Sequence, residues 1–595
     1  MLIQRRPVPD MPALGGLAPL LARLYAARHI QHPSELNLDI ASLLPPSQLK
    51  GISGAVDLLL ETLNVQGRIL IVSDFDADGA TSCALVIRAL QSMGFKYLDY
   101  IVPDRFAYGY GLSPAIVAMA QERDPALIIT VDNGISSHEG VQAARAAGIK
   151  VLITDHHLPG ADLPAADAIV NPNQSGCTFP SKALAGVGVV FYLMLALRAR
   201  LREKDWFASQ QIKEPRLADL LDLVALGTVA DLVALDQNNR ILVSEGLRRI
   251  RQGRACPGIL ALLEVGKRSL NALVASDLGF AVGPRLNAAG RLEDMSLGIA
   301  CLLTEDPHEA RQLALRLDAI NDERKRIESD MKDQAMLVLS DMEQNLPQTG
   351  DGSDLPAGLC LYDAAWHQGV IGIVAARVKE KYHRPVIVFA DAGANGQGVE
   401  EVKGSARSIA GLHIRDLLDE IASLNPGLIS KFGGHAMAAG LSLDRARLDE
   451  FRVAYEAAAA RHLDQNALQK RLLTDGEVAV TDMQLETAEL IRSAGPWGQG
   501  FPEPLFEGVF ECLGQRLLGE KHIKFVLSPL ESPATSAGTI TGKQKPAFDA
   551  IAFNVAPENM PVGQVRYLKL VYRLDVNEYR GQRQLQLMIE HFEVV

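Results

Sequence analysis

The chain has 595 residues and a formal net charge of −12, and its length predicts several globular domains rather than one. Hydrophobic residues make up 48% of it, yet no apolar run approaches the roughly 20 residues that a membrane span needs. The acidic balance argues against a protein that coats nucleic acid, since such binding needs clustered Lys and Arg. Six cysteines without a C-x-x-C pair, and an N-terminus without a signal-peptide core, predict a soluble cytoplasmic protein.

Short β-rich apolar runs alternate with helical patterns in the first part of the chain. The runs cover residues 68–72, 97–102, 127–131 and 149–153. This alternation is typical of parallel strands that are connected by helices. We therefore predict an α/β domain with a parallel sheet.

The remaining chain predicts a long helix, a second α/β domain and a β-rich end. Residues 306–343 are charged, nearly free of Gly and Pro, and apolar at helical spacing, and a Gly- and Pro-rich segment follows them. Strand patterns dominate beyond about residue 470, with a turn predicted at 577–581. The predicted division is an N-terminal segment, a catalytic α/β domain, a connecting helix, a second α/β domain and a β-barrel, at residues 1–50, 51–300, 301–344, 345–465 and 466–595.

Alternating carboxylates follow the first predicted strand in the sequence IVSDFDADGATS. Asp74, Asp76 and Asp78 come directly after the strand, and Gly79 permits a tight turn. Buried carboxylates so close together are unfavourable unless a cation neutralises them, whereas a solvated turn is the alternative explanation. A calcium-binding EF-hand loop is excluded, because the loop's twelfth position, which requires Glu, is Leu85.

Similar side chains end two later strands. Asp132 follows one apolar run, and Asp155, His156 and His157 follow another. The carboxyl ends of neighbouring strands share one crevice in an open α/β sheet, and Asp231, after an apolar helical segment, could reach it from the side. Oxygen and imidazole ligands suit Mn²⁺ or Mg²⁺, and two such ions would stabilise the attacking and leaving oxygens of a phosphoryl transfer. The pattern therefore indicates phosphoester hydrolysis.

The segments DFDADG, VDNGI, TDHH and VADLVAL resemble, in order and spacing, the four motifs of the DHH phosphoesterases. The resemblance implies that His157 faces the substrate phosphate, although a role in orienting His156 is the alternative. Pyrophosphatase-like relatives carry a His where this chain has Val72, and Asp74 is predicted to replace that ligand. The metal ligands that the resemblance implies, with Asp132 bridging, are Asp76, Asp78, Asp132, His156 and Asp231.

Further segments are similar to the RecJ-type exonucleases within this superfamily. They lie at residues 103–113, 283–291, 366–377, 404–409 and 431–441, so that the resemblance covers nearly the whole chain. Glycines in these segments let the backbone approach a phosphate, and Arg and His supply charged donors. The resemblance implies that Tyr108 and Tyr110 line the substrate entry. It implies that the 5′ phosphate and adjacent strand are bound by Arg105, Arg285, Asn287, Arg291, Ser405, Arg407, Gly433, Gly434 and His435.

The C-terminal segment resembles the oligonucleotide-binding (OB) barrel of RecJ-type proteins. Such barrels stack bases on aromatic side chains beside a basic groove, at about 1–3 kcal/mol per base. Burial against a neighbouring domain is the alternative for Trp497. The candidate single-strand contacts are Trp497, Phe501, Lys521, Lys524 and Arg580.

The expected architecture is two α/β lobes, the DHH and DHH-associated domains, joined by a long helix and followed by an OB-type barrel. The resemblance implies an exonuclease that degrades single-stranded DNA from its 5′ end with two Mn²⁺ or Mg²⁺ ions. It also implies a monomer that works with single-strand-binding protein, a helicase and mismatch-repair proteins. Two alternatives remain open: a phosphodiesterase of short oligonucleotides or cyclic dinucleotides, and a non-enzymatic DNA-binding replication factor.

Overall fold

The computed structural model describes residues 1–9, 14–104, 108, 111–345, 355–394, 398–464, 467–519, 521–530, 546–555, 565–579 and 581–595. These residues group into two compact units. The first contains Gln4–Gly290, Asp294–Leu317 and Leu473–Val595, and the second contains Met1–Ile3, Arg291–Glu293 and Asp318–Leu472. The parallel-sheet domain and the barrel share the first unit, and the long helix is divided between the two.

The strands and helices have the following bounds. The strands are β1 (Leu2–Arg5), β2 (Ile69–Ser73), β3 (Leu98–Ile101), β4 (Leu127–Val131), β5 (Lys150–Thr154), β6 (Ala168–Val170), β7 (Leu359–Tyr362), β8 (Val386–Ala394), β9 (Glu400–Arg407), β10 (Lys431–Gly434), β11 (Ala438–Asp444), β12 (Arg471–Thr474), β13 (Phe506–Leu518), β14 (His522–Pro529), β15 (Phe548–Ala552), β16 (Tyr567–Tyr579) and β17 (Gln582–Val594). The α-helices are α1 (Pro19–Ala26), α2 (Ile52–Asn64), α3 (Ala77–Ser92), α4 (Pro114–Gln121), α5 (His138–Ala146), α6 (Gly186–Glu203), α7 (Trp206–Ser209), α8 (Leu221–Ala230), α9 (Gln237–Arg251), α10 (Pro257–Val265), α11 (Ala275–Asp277), α12 (Gly283–Leu292), α13 (Ser296–Leu303), α14 (Pro307–Asn345), α15 (Ile371–Tyr382), α16 (Ile414–Leu424), α17 (Leu448–His462) and α18 (Leu485–Ser493).

A five-stranded parallel sheet of order β3-β2-β4-β5-β6 forms the centre of the first unit. All residues of β2 and β4 are buried, because helices cover both faces of the sheet. Ile69 and Ile71 face the cluster that includes α3 and α6, whereas Leu70 and Val72 face α4 and α5. This arrangement confirms the predicted parallel α/β domain and brings the carboxyl ends of β2, β4 and β5 together.

The C-terminal strands close into a barrel of order β13-β14-β15-β17-β16. β16 and β17 form the predicted hairpin, in which Tyr579 pairs with Gln582. Inward residues such as Phe510, Phe525 and Leu587 fill the barrel and are almost fully buried. Helix α18 packs on β16 and β17, and the prediction of an OB-type barrel is confirmed.

The second unit is a mixed sheet of order β10-β11-β9-β8-β7 with α15, α16 and α17. Only β7 and β8 pair in parallel, and the other neighbours are antiparallel. Phe389, Phe451 and Tyr455 are fully buried in its core, where Phe451 stacks on Tyr455 and meets Phe389 edge to face. The predicted long helix is present as α14. Within the described ranges, no helix combines the length and apolar character needed to cross a membrane.

Candidate metal centre and substrate-binding residues

Acidic and imidazole side chains meet at the carboxyl ends of three neighbouring strands. Asp74 follows β2, Asp132 follows β4, and Asp155, His156 and His157 follow β5. Three groups of side chains place their possible ligand atoms within 4.8 Å of one another. The groups are Asp74, Asp76 and Asp132; Asp78, His156 and Asp231; and Asp132, His156 and His157. The structure thus brings all seven predicted metal-centre residues into one cluster.

The first turns of two helices hold the acidic pair of the first motif. The Asp76 carboxylate accepts hydrogen bonds from the backbone N–H groups of Asp78 (2.9 Å) and Gly79 (3.0 Å), and so caps α3. The Asp78 carboxylate accepts from Gly186 N (2.7 Å) and Val187 N (2.9 Å) at the start of α6. The positive ends of these helices partly offset the cost of holding two carboxylates close together.

The histidines are held by the acids around them. His156 Nε2 lies 3.1 Å from Asp132 Oδ1 and 3.4 Å from Asp231 Oδ2. His157 Nδ1 lies 2.7 Å from Asp155 Oδ1, which also accepts from the backbone N–H groups of both histidines. Sequence reasoning gave Asp155 no role, although an acid directly before two histidines was a usable signal. Asp155 fixes the orientation of the His157 ring.

Crowding of the acids shifts their protonation. Burial, followed by the charge of Asp76, raises the pKa of Asp78 to about 7. Burial and then the charge of Asp78 raise the pKa of both Asp132 and Asp231 well above the ordinary value. Burial alone would lower the pKa of His157, but its hydrogen bond to Asp155 raises it to about 9. Without a metal, these acids repel one another when they are ionised. Divalent cations would neutralise their charges, so the cluster is a suitable binding site for such ions.

Two glycines that sequence reasoning missed make room for the carboxylates. A Cβ atom at Gly186 would lie 2.8 Å from Asp132 Oδ1, and a Cβ at Gly227 would lie 2.3 Å from Thr81 Oγ1 and 2.8 Å from Asp78 Oδ1. All three distances are too short for a carbon atom. Gly186 lies next to Asp132 of the second motif in space, and Gly227 comes just before the fourth motif in the sequence. Nothing in a single sequence distinguishes either of them from other helical glycines.

The donor set fits Mn²⁺ or Mg²⁺. Each of the three groups offers only carboxylate oxygen or imidazole nitrogen, without thiolate. Asp74 lies in one group with Asp76 and Asp132, which is consistent with its predicted role in place of a histidine at Val72. Val72 itself is fully buried between sheet and helices.

The predicted substrate residues of the first unit have mixed placements. Arg105 and Tyr110 lie outside the described residues, and Tyr108 is 40% exposed. Arg285 Nη1 donates to the Ala281 carbonyl oxygen (2.5 Å). The Asn287 side-chain oxygen accepts from Ala77 N (2.7 Å) in the first turn of α3. Asn287 therefore supports the loop that carries Asp76 and Asp78, and its role in substrate binding stays a prediction.

A polar row crosses the sheet of the second unit. Gly433 pairs with Gly440, which in turn pairs with Ser405 on β9. Arg407 Nη1 donates to Ser405 Oγ (3.1 Å), and a Cβ at Gly372 would lie 2.8 Å from Arg407 Nη2. The absence of side chains at 433 and 440 leaves the backbone beside Ser405 and Arg407 open to a ligand.

The other two predicted contacts of the second unit are tied to its backbone. His435 N donates to the Ala438 carbonyl oxygen (2.8 Å) in the turn after Gly434. Arg291 Nη1 donates to the Gly369 carbonyl oxygen (3.2 Å) just before α15. The structure therefore brings Ser405 and Arg407 together directly, whereas His435 lies in the turn after β10 and Arg291 lies in α12.

The candidate single-strand contacts near the barrel divide into packed and surface residues. The Trp497 ring stacks on Phe501 with centroids 5.0 Å apart, the Arg28 guanidinium lies 5.1 Å from its centre, and Trp497 Nε1 donates to the Ile491 carbonyl oxygen. These contacts favour the packing alternative for Trp497, and Phe501 is almost fully buried. Lys524 pairs with Asp549 at 2.6 Å, Lys521 is exposed, and Arg580 lies outside the described residues.

Comparisons with known proteins agree with this organisation. Family models match in three places: the DHH family, N-terminal domain at residues 68–228, the DHHA1 domain at 356–461 and the RecJ OB domain at 474–591. The chain is 54% identical to the single-stranded-DNA-specific exonuclease RecJ of Dickeya dadantii, over 99% of this chain and 98% of that protein.

Solved structures show the same fold. Crystal structures of RecJ from Thermus thermophilus, in complex with Mn²⁺ or with Mg²⁺, match with TM-scores of 0.77 and 0.73 at 27% and 26% identity. Both matches cover all of this chain, and they cover 80% and 78% of those chains. With the three domain matches and the identity over its whole length, the chain belongs to the RecJ family.

Proposed function

We propose that this protein is a metal-dependent exonuclease that hydrolyses single-stranded DNA from its 5′ end and releases nucleoside 5′-monophosphates. The observation that carries the proposal is the buried cluster of acids and histidines at the ends of β2, β4 and β5, in a chain of the RecJ family. In the cell we expect it to act in DNA recombination and repair, in the cytoplasm and as a monomer. Single-strand-binding protein, a helicase and mismatch-repair proteins are its expected partners.

Two Mn²⁺ or Mg²⁺ ions, when bound, would supply Lewis-acid stabilisation of the charge that develops on the phosphate during hydrolysis. Asp132, which like His156 belongs to two of the ligand groups, would help to hold the ions in both. It shares one group with His156 and His157 and the other with Asp74 and Asp76. Asp78 is held in place by the first N–H groups of α6.

His157 is proposed to stabilise the negative charge of the transition state. Its raised pKa, about 9, keeps the ring protonated at neutral pH because the Asp155 carboxylate holds the Nδ1 proton. The second ring N–H can then donate to a phosphate oxygen, where a fixed donor stabilises developing charge. Asp155 would act as a positioning residue in this reaction.

Recognition of the 5′ phosphate is proposed for Ser405 and Arg407. The Arg407 guanidinium can donate two parallel hydrogen bonds to a phosphate. Gly433 and Gly440, in the same row as Ser405, let the phosphate approach the backbone. Phosphate capture by such a pocket would set the direction of digestion, because only a strand end fits it. The remaining predicted contacts are Arg105, Tyr108, Tyr110, Arg285, Asn287, Arg291, Gly433, Gly434, His435, Trp497, Lys521 and Lys524.

The test uses a long DNA strand that carries a 5′ phosphate and a 3′ label, offered either single-stranded or as a blunt duplex, with Mn²⁺ or with EDTA. We expect progressive shortening of the single strand only, and only with the metal. A Ser405→Ala, Arg407→Gln variant should lose most of its preference for 5′-phosphorylated over 5′-hydroxyl strands. Hydrolysis of short oligonucleotides alone would indicate the alternative phosphodiesterase, and binding without hydrolysis would indicate a replication factor.

A further inference from the structure

A cavity of about 590 Å³ in the first unit lies apart from the metal centre. Its walls come from the end of α9, the segment after α10, the π-helical turn Leu278–Val282, the segment around α18, and strands β16 and β17. No residue of the metal centre lines it. Its volume is in the range of ligand sites, roughly 300–1,000 Å³. We call it the Phe280 cavity, after the aromatic ring that lines it.

The wall of the Phe280 cavity is positively charged, although the whole chain is acidic. Five cationic and three acidic side chains line it, which leaves a formal excess of two positive charges, whereas the chain carries −12. Such a local excess attracts a polyanion. The cationic residues are Arg251, Lys267, Arg268, Arg492 and Arg573, and the acidic ones are Asp277, Glu503 and Asp575.

Two of the cations are not neutralised by a carboxylate. Arg268, Arg492 and Arg573 each pair with one of the three acids. Among the described residues, Arg251 and Lys267 form no ion pair, and Arg251 donates only to the Leu273 carbonyl oxygen. Both cations are therefore available to phosphate groups.

Phe280 presents an apolar ring to the same space. Its side chain is 79% exposed, whereas Leu278, Ala281 and Val282 in the same π-helical turn are buried. An exposed Phe ring is unfavourable in water, and π-helical turns inside helices are frequent at functional sites. The turn leads into α12, whose Asn287 caps the helix of the first metal-binding motif. Phe280 precedes Asn287 by seven residues along this segment.

We propose that the Phe280 cavity binds a downstream stretch of the single-stranded DNA substrate, with a base stacked on Phe280 and phosphates held by Arg251 and Lys267. The inference rests on the proposed exonuclease function. An aromatic ring beside unpaired cations is the combination that holds single strands without reading their sequence. Duplex DNA would not bind in this way, because paired bases are not free to stack on a side chain.

The test measures binding of the full-length protein to 5′-phosphorylated, 3′-labelled oligothymidylates of about two to about twenty nucleotides, in EDTA so that no hydrolysis occurs. Phe280→Ala should weaken binding of long strands by about 5- to 150-fold, as expected for the loss of one stacked base. Binding of the dinucleotide should stay within about twofold, because it does not reach the cavity, and Phe280→Tyr should bind every length like the wild type.

The charges are tested separately. Lys267→Gln should reduce the slope of log K against log salt by about 0.7 for long strands, since one phosphate contact is lost. Matched controls are Tyr97→Ala, an exposed ring outside the cavity, and Lys204→Gln, an exposed lysine on the same unit. Both controls should bind all lengths like the wild type.

The cavity assignment would be overturned if Phe280→Ala weakened the binding of all strand lengths equally, or weakened the binding of none. Either result leaves the proposed function intact, because hydrolysis by the wild-type protein with Mn²⁺ is measured independently. Conversely, if the wild-type protein binds long strands through Phe280 but shortens none, the cavity assignment holds and the proposed exonuclease function is refuted.

Discussion

Asp132 combines a structural and a chemical requirement at one position. Its φ of 62° lies in the left-handed region, which Asp and Asn tolerate better than most residues. Its side chain is fully buried, and the charges of Asp78 and Asp76 raise its pKa further. Only a residue that accepts this backbone conformation and carries a ligand oxygen can serve here.

Asp132→Asn should abolish hydrolysis while keeping the fold. The amide retains the shape and the backbone preference but removes the charge, so we expect a loss of at least about 100-fold, as for residues that support a metal site. The 3′-labelled strand assay with Mn²⁺ measures it. Asp124→Asn is the matched control, because Asp124 has a φ of 47° in an exposed turn. Activity of Asp132→Asn above a tenth of the wild type would refute the proposed centre.

Gly227→Ala tests whether helix α8 must approach the first motif closely. The added Cβ would displace Thr81 and Asp78, so we expect destabilisation by about 1–3 kcal/mol and about 100-fold lower activity. Gly54→Ala is the control, because a Cβ there meets nothing within 4 Å in α2, and it should stabilise by about 0.5–1 kcal/mol. The melting temperature measures the stability, and the strand assay measures the activity. Wild-type values of both for Gly227→Ala would contradict the need for a close approach of α8.

At the scale of elements, one buried ion pair joins the turn after α1 to the segment that leads into the barrel. Arg28 Nη1 and Nη2 donate to the two Asp475 oxygens at 2.9 and 3.1 Å, and Arg28 Nε donates to the Pro502 carbonyl oxygen. Tyr25 of α1 stacks on Trp497 and Phe501. These contacts pack the Trp497 ring against α1.

Asp475→Asn should destabilise the first unit by about 3–5 kcal/mol, because it leaves the buried Arg28 charge without its partner. Urea denaturation measures the free energy of unfolding. The control is Glu61→Gln, which removes an exposed pair with Lys150 and should change stability by less than about 1 kcal/mol. Equal effects of the two substitutions would contradict the importance of this contact between elements.

At the scale of the whole molecule, the metal centre links stability to pH. The pKa of Asp78 is raised from 3.8 to about 7 in the folded, metal-free protein. The folded state therefore holds this proton more tightly than the unfolded chain does. The resulting stabilisation is present below about pH 3.8 and is lost as the pH rises to about 7.

Metal-free wild type should accordingly lose stability relative to Asp78→Asn between about pH 4 and about pH 7. With Mn²⁺ at about 100 times its Kd, the wild type should gain about 2.7 kcal/mol, because the ion binds only the folded state. Thermal melting with EDTA or Mn²⁺ at several pH values measures both effects. A wild type that melts at the same temperature with and without Mn²⁺ would contradict a metal site in this cluster.

The sequence by itself determined which elements form and which chemistry they carry. Periodicity alone located the strands at 68–72 and 127–131 and the long helix at 306–343, because burial on both faces and helical spacing are local patterns. The strand-end acids and histidines followed from the rule that parallel strands end at one edge. The metal-centre residues were therefore predictable before the fold was known.

The tertiary structure decided the contacts between segments that are distant in the chain. Asn287 supports a loop about two hundred residues earlier, Trp497 packs on Tyr25, and Gly186 and Gly227 make room for Asp132 and Asp78. The exposed ring of Phe280 likewise depends on a single π-helical turn. None of these has a local signature, because close packing is a property of the atoms that surround a residue and not of its neighbours in sequence.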